Sequence, residues 1–377
     1  MNRLQFITAI PQNVRQGSGC YVGTRTLVDG LRRLGTPVEI IQPQIHLPVF
    51  TATRVLFNQA LRWRGFRDGA TIGIDADGYA IAGRRKSPPH VACIKGVLAD
   101  AVRFESGITR ASLSFQSRLE ATNARRADLV ITISRYCAER IEELYGVRGA
   151  VVVPEVIDLN AWRDLFFSNP AAPDPNKFTV LSVCRFYPRK GLEILLRAAA
   201  HLRHVIPQLE IRIVGNGPQY DTLQKIWAEL RLEKIVHWLG DVSRARLADE
   251  YKRADVFCLP SLQEGFGIVF LEAMAAGKPI VAVRAAATPE VVQSGILVDP
   301  ENPEALADGI VRLYRDPCLS SSLALKGCRD VEQFDVHRVA RSFLSEVARV
   351  APEMAAWSRI CEPIQNRIPA KVSSPEQ

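Results

Sequence analysis

Two glutamates eight residues apart, Glu264 and Glu272 in "EGFGIVFLE", and two cations, Arg185 and Lys190 in "RFYPRKG", carry the side chains of this 377-residue chain best suited to chemistry. Carboxylates accept hydrogen bonds from hydroxyl groups, and an arginine–lysine pair neutralises an anion such as a diphosphate. After Gly267 the apolar residues Ile268, Val269, Leu271, Met274 and Ala275 recur at helical spacing. That pattern predicts Glu264 on a loop at a helix mouth, and Glu272 about two turns in on roughly the same face. A helix mouth offers unpaired N–H groups and positive dipole to an anion. Gly265 and Gly267 give the turn before it unusual backbone freedom. A second turn, "VGNGP" with Gly215 and Asn216, lets a backbone come close to a flat or anionic group. Together these features suit a ligand bearing both phosphate and hydroxyl groups.

The elements that must position these residues alternate between short apolar runs and helical patterns, the sign of βαβ units and a parallel sheet. In the first half the expected strands are 4–10, 38–42, 71–75, 90–95, 128–134 and 150–154, with a helix over Tyr21 to Leu34. "SNPAAPDPNK" (168–177) then opposes both helix and strand. Strands resume at 178–184, 209–215, 235–240, 255–260 and 279–283. The expected architecture is α/β, two tandem Rossmann-like doubly wound domains with a ligand cleft at the strand carboxyl ends. The expected boundaries are 1–168 for an acceptor-side domain, 169–177 for a linker and 178–335 for a nucleotide-sugar domain. Residues 336–351 are expected as a helix packing back on the first domain, and 352–377 as a partly disordered tail.

Composition narrows the class. With 47% hydrophobic residues the chain has enough apolar content for two cores. It has no run approaching about 18 uncharged apolar residues, and its first residues do not read as a secretory signal, so a cytoplasmic protein is expected. Eight scattered cysteines show no zinc spacing. The net charge of +8 is concentrated in the first half, where residues 1–170 hold 22 Lys and Arg against 15 Asp and Glu. Arg62, Arg64 and Arg67 around Trp63 and Phe66, and the run Arg84–Arg85–Lys86, suit an anionic membrane surface. No nucleic-acid motif accompanies them, so a nucleic-acid partner is not expected.

The second half resembles the retaining nucleotide-sugar glycosyltransferases of the glycosyltransferase-B fold, the glycogen-synthase-like and phosphatidylinositol-mannosyltransferase-like group known as glycosyltransferase family 4. The likeness runs from Phe178 to Leu306 and rests on "EGFGIVFLE", "RFYPRKGLEILLRA", "VGNGP" and "ADVFCLPS" in order. The first half is similar more loosely, through "GSGCYVGTRTLVDGLRRLG" and "ADLVITISRYCAERIEELYGV". The resemblance implies a hexosyltransferase moving sugar from a UDP-, GDP- or ADP-sugar to a glycan or lipid-linked acceptor, in cell-surface polysaccharide or glycolipid synthesis, with no cofactor or metal. It implies that Arg185 and Lys190 stabilise the leaving diphosphate, helped by N–H groups near Gly19 on a first-half loop and Ile268 at the helix mouth. Glu264 would then bind sugar hydroxyls, the Gly265, Phe266 and Gly267 backbone would line the hexose, and Glu272 would hold the ribose. Where the family has a histidine at the end of a first-half strand, this chain has Lys95, which could replace it. Where the family has Asn-Gly after the first-domain proline, Glu155-Val156 stands, and "AAATPE" lacks the usual glycines.

Two other readings compete. Asp75 and Asp77 in "DAD" have the spacing of a cation site in the single-domain glycosyltransferase-A fold, although two-domain alternation opposes that fold. A non-catalytic sugar-nucleotide or membrane-surface binding protein could share the glycosyltransferase-B fold, but retention of Glu264, Arg185 and Lys190 favours an enzyme.

Overall fold

The computed structural model describes residues 3–11, 14–66, 68–84, 87–168 and 171–354. The expected tail beyond Met354, Asn169 and Pro170 of the linker, and the basic residues Arg67, Arg85 and Lys86 lie outside the described residues.

Each half builds one fully parallel six-stranded sheet. The first comprises β1 (Arg3–Ile7), β2 (Val38–Ile41), β3 (Gly69–Ile74), β4 (His90–Ile94), β5 (Leu129–Thr132) and β6 (Val151–Val152), in the order β2-β1-β3-β4-β5-β6. The second comprises β7 (Phe178–Val183), β8 (Leu209–Val214), β9 (Val236–Gly240), β10 (Val256–Leu259), β11 (Ile280–Val283) and β12 (Ile296–Val298), in the order β12-β11-β10-β7-β8-β9. Read from β9, the second sheet has the 3-2-1-4-5-6 order of a dinucleotide-binding fold. Its direction of winding reverses between β7 and β10, where the carboxyl ends leave a crevice. Central strands such as β3, β4 and β10 are buried along their whole length, which explains their near-continuous apolar sequences. β12 was not expected from sequence: three residues after Gly295 are too short a run to stand out, and pairing with β11 makes them a strand.

Two segments cross between the halves. The helix Leu159–Ser168 follows the first sheet in sequence but packs on the second domain: Trp162 lies edge-on to Tyr251 at 5.9 Å, and Lys252 Nζ donates to the Phe166 carbonyl at 2.8 Å. This helix, expected from sequence to end the first domain, thus has its packing partners in the second. The helix Val336–Val347 buries Val336, Val339, Ala340, Phe343 and Leu344 against Leu4, Phe6, Leu27 and Leu31 of the first domain. Phe343 stacks on Phe6 with ring centroids 5.9 Å apart.

The first long helix is Val14–Arg33, so Gly19 lies within a helix and not on the expected loop. An amide in the second turn of a helix bonds within the helix and has no N–H to give a phosphate. A side chain at Gly19 would meet nothing within 4 Å, so the position faces open space.

Candidate active site

The residues that follow β7, β8 and β10 gather at the crevice of the second sheet. Cys184, just after β7, feels the charges of Lys190, Glu264, Arg189 and Arg185, while burial pushes its own thiol up to about 12. Lys190, in the turn Pro188–Lys190, pairs directly with Glu264 Oε1, which also accepts from Ser261 Oγ at 3.0 Å. The Glu264 side chain is 9% exposed, and its Oε2 takes no hydrogen bond from the described residues. One oxygen is thus fixed and the other left for a ligand hydroxyl. The loop is stitched to the lysine turn by Leu262 N–H on the Arg189 carbonyl at 2.8 Å. Arg185 points elsewhere, to Asp241 after β9 at 3.4 Å, so Lys190 and Arg185 approach the crevice from different sides.

Gly267 takes φ +93°, where a Cβ would strike the Phe270 ring at 2.6 Å, and the helix Ile268–Ala275 starts from it. Its first amides, Ile268 and Val269, have no acceptor among the described residues. Phe266 turns its ring into the core, edge-on to Phe334 at 5.3 Å, leaving only its backbone for a ligand. Glu272 is buried one turn beyond Ile268, and Tyr251 Oη donates to its Oε2 at 2.9 Å. Burial raises its carboxyl to about 7, opposed by the Tyr251 hydrogen bond and the charge of Arg244. Gly215 takes φ +120° with a virtual Cβ 1.9 Å from the Cys184 carbonyl oxygen. Its glycine thus lets the β8 turn lie on the β7 turn, a backbone-to-backbone approach. Asn216 is exposed; its carbonyl accepts from Phe186 N–H at 3.1 Å.

The first domain closes over this loop. A Cβ at Gly265 would lie 3.0 Å from the Lys95 carbonyl oxygen and 3.3 Å from Ile133. Lys95 itself does not present its ammonium to the crevice. Its side chain is 4% exposed and bonds Glu155 Oε2 at 2.9 Å, so the two departures noted in the sequence meet in one buried ion pair. Burial alone would lower the Lys95 ammonium, but Glu155 holds it above the ordinary lysine range. Asp77, half of the alternative cation motif, has both oxygens filled, by Ala9 N–H at 2.7 Å, Arg54 Nε at 3.1 Å and Asn58 Nδ2 at 2.9 Å. Asp75 bonds Lys95 N–H at 2.7 Å and the Cys20 thiol at 3.5 Å.

Sequence reasoning passed over Ser261, Gln263, Asp100 and Glu290. Ser261 ends the quoted "ADVFCLPS" and Gln263 lies one residue before Glu264, but no spacing rule marks either. The contacts of Asp100 with Gln263 and of Glu290 with the Arg135 and Tyr136 amides cross the interface, which no local pattern encodes.

Two tandem parallel six-stranded sheets with alternating helices define the class as a glycosyltransferase-B architecture. Residues 165–327 match the family model described as "Glycosyl transferases group 1". Among curated relatives, a GDP-mannose-dependent alpha-(1-6)-phosphatidylinositol monomannoside mannosyltransferase of Mycolicibacterium smegmatis is 30% identical over 225 residues, 53% of this chain and 56% of that protein. A D-inositol 3-phosphate glycosyltransferase of Streptomyces bingchenggensis is 34% identical over 178 residues, covering 44% of this chain and 39% of that protein. The chain thus spans about half the length of the curated relatives it matches. Among solved structures, the sucrose-phosphate synthase of Thermosynechococcus elongatus superimposes with a TM-score of 0.77 at 22% identity, over 94% of this chain and all (100%) of that one. Anabaena HepE, solved with UDP and glucose, gives 0.68 at 20% identity, over 92% of this chain and 100% of that one.

Proposed function

We propose that the protein is a retaining hexosyltransferase that takes sugar from a nucleotide-sugar donor and passes it to a glycan or lipid-linked acceptor, in cell-surface polysaccharide or glycolipid synthesis. The observation that carries this reading is the Lys190–Glu264–Ser261 cluster at the winding reversal of the second sheet, with the unpaired Ile268 and Val269 amides beside it. A donor diphosphate entering there draws Lys190 off Glu264, and the freed carboxylate accepts the sugar hydroxyls. Arg185 reaches the phosphates from the β9 side. Glu272, deeper in the same helix, holds the ribose. With the leaving phosphate on the face the acceptor attacks, it serves as the base, and neither metal nor protein nucleophile is required. The names of the relatives, a GDP-mannose-dependent mannosyltransferase and a D-inositol 3-phosphate glycosyltransferase, support sugar-nucleotide chemistry.

A thermal-shift screen against UDP-, GDP- and ADP-sugars tests the reading. A donor at a hundredfold its dissociation constant stabilises the fold by about 2.7 kcal/mol. No shift with any of them would overturn it.

The acceptor side includes an anionic membrane surface in this reading. Trp63 is 92% exposed, with Arg62 beside it and Arg84 bonded to the Arg62 carbonyl. Arg64, by contrast, is paired with Glu39 at 2.6 Å and Phe66 is buried, which shrinks the patch expected from sequence. No helix among the described residues is long and apolar enough to cross a membrane.

A further inference from the structure

The Glu264 loop is held from both sides. On its own domain it is tied to the lysine turn. On the other, Gln263, its neighbour in sequence, donates from Nε2 to Asp100 Oδ2 of the first domain at 3.1 Å. Asp100 is 2% exposed, and the same oxygen accepts from Tyr136 Oη at 2.6 Å. Its other oxygen faces Arg103 at 3.2 Å and Arg140 at 3.6 Å. Tyr136 belongs to the first turn of the helix Arg135–Tyr145, which a residue of the second domain caps. Glu290 accepts from the Tyr136 amide at 2.7 Å and the Arg135 amide at 2.9 Å. Ser134 caps the Cys137 amide of the same turn at 3.1 Å. A carboxylate on those free amides is favoured by both hydrogen bonding and the positive helix end.

These contacts close a circuit from Glu290 through the helix start, Tyr136 and Asp100 to Gln263, and so back to the second domain beside Glu264. Two of its links, Glu290 to the amides and Gln263 to Asp100, cross between domains. The remainder lies within one domain: Asp100 keeps Tyr136, Arg103 and Arg140 as partners if the domains part, and Lys190 and Ser261 stay on Glu264. Separation therefore takes from the loop its cross-domain contacts, Gln263 to Asp100 and the Cys137 thiol to the Gly265 carbonyl at 3.6 Å, while leaving the donor-side residues in place.

We propose that Asp100 and Gln263, together with Glu290, form a cross-domain latch that positions the Glu264 loop when the domains close. Asp100 and Gln263 are positioning residues: they act on the sugar only through Glu264. The proposal rests on the glycosyl-transfer reading for its kinetic part. Displacement of a reacting group by about 1 Å costs up to roughly a hundredfold in rate, so losing this restraint lowers turnover more than nucleotide binding.

The test uses Gln263→Glu, which sets two carboxylates against each other, and the exchanged pair Asp100→Asn with Gln263→Glu, which restores an amide–carboxylate bond with donor and acceptor swapped. Turnover, nucleoside-diphosphate affinity and small-angle scattering dimensions are measured on the full chain. Gln263→Glu is expected to lower turnover by about tenfold to a hundredfold, keep the dissociation constant within about threefold, and enlarge the scattering dimensions. The exchanged pair is expected to recover much of the loss and the compact dimensions. Gln263→Ala, with a smaller loss in the same direction, serves if Gln263→Glu does not fold. Wild-type turnover in the single variants, a parallel loss of turnover and affinity, or a folded exchanged pair without rescue would overturn the latch. If the wild type cleaves no nucleotide-sugar, the functional reading fails, and scattering alone decides the latch: equal dimensions for wild type and Gln263→Glu overturn it.

Discussion

The two sheets each reverse their winding once, between β1 and β3 in the first and between β7 and β10 in the second, and the two crevices are used in opposite ways. In the first, Asp77 bridges from the β3 side to the Ala9 amide and is locked by the buried Arg54. In the second, Glu264 has one oxygen fixed and one open. A parallel sheet makes a crevice at such a point wherever it occurs. Whether it becomes a site depends on whether the chain's own polar groups satisfy each other there.

The sharpest way to break this comparison is to remove a charge from each side. Asp77→Ala leaves Arg54 buried without its partner, and is expected to cost about 3–5 kcal/mol of stability. Lys95→Met, which strands Glu155, is expected to cost a similar amount, whereas changing Lys95 and Glu155 together to apolar residues is expected to be roughly neutral. Urea melts of these variants check both statements. On the second sheet the sign reverses: Lys190→Ala and Arg185→Ala are expected to lower turnover by roughly a hundredfold or more while melting near wild type. Two of the four residues unfolding the protein on the wrong side would erase the distinction.

A smaller effect separates Glu272 from Glu264. The Glu272 carboxyl is raised from its ordinary value to about 7 by burial. A raised carboxyl contributes stability that is fully present below the unfolded-state value, near 4.5, and is lost as pH rises through about 7. Glu272→Gln removes that dependence. Its melting temperature relative to wild type is expected to climb between pH 5 and pH 8, by an amount on the order of 2–3 kcal/mol in stability. A constant difference across that range would contradict the buried, raised carboxyl. Smaller still is Ala286, which takes φ +50° in the turn where glycines are usual. Ala286→Gly relieves about 1–2 kcal/mol of left-handed strain and costs about 0.4–1 kcal/mol in chain entropy, for a net gain of about 0.5 kcal/mol in a urea melt.

The second-domain crevice was more legible in the sequence than the first. Lys190, Glu264, Gly267 and Glu272 lie in continuous stretches whose helical period and turn residues fix their place locally, and the strands around them are long apolar runs. Lys95 and Glu155 stood out only as oddities 60 residues apart, because their meaning lies in a tertiary ion pair. Resemblance to the family's glycine-rich first loop places Gly19 on a loop, yet its segment is helical with Cys20 bonded to Asp75. The helix Leu159–Ser168 follows its amphipathic pattern, but nothing in that pattern tells which domain its apolar face will meet.

The central claim is that Glu264 acts on the sugar and not on the nucleotide. Release of nucleoside diphosphate, without acceptor, from the nucleotide-sugar that most stabilises the protein measures this directly in wild type and Glu264→Gln. The account predicts slow release by the wild type and a loss of roughly a hundredfold in the variant, with nucleoside-diphosphate affinity held within about threefold. Equal release rates, or an affinity that falls as far as the rate, would contradict it.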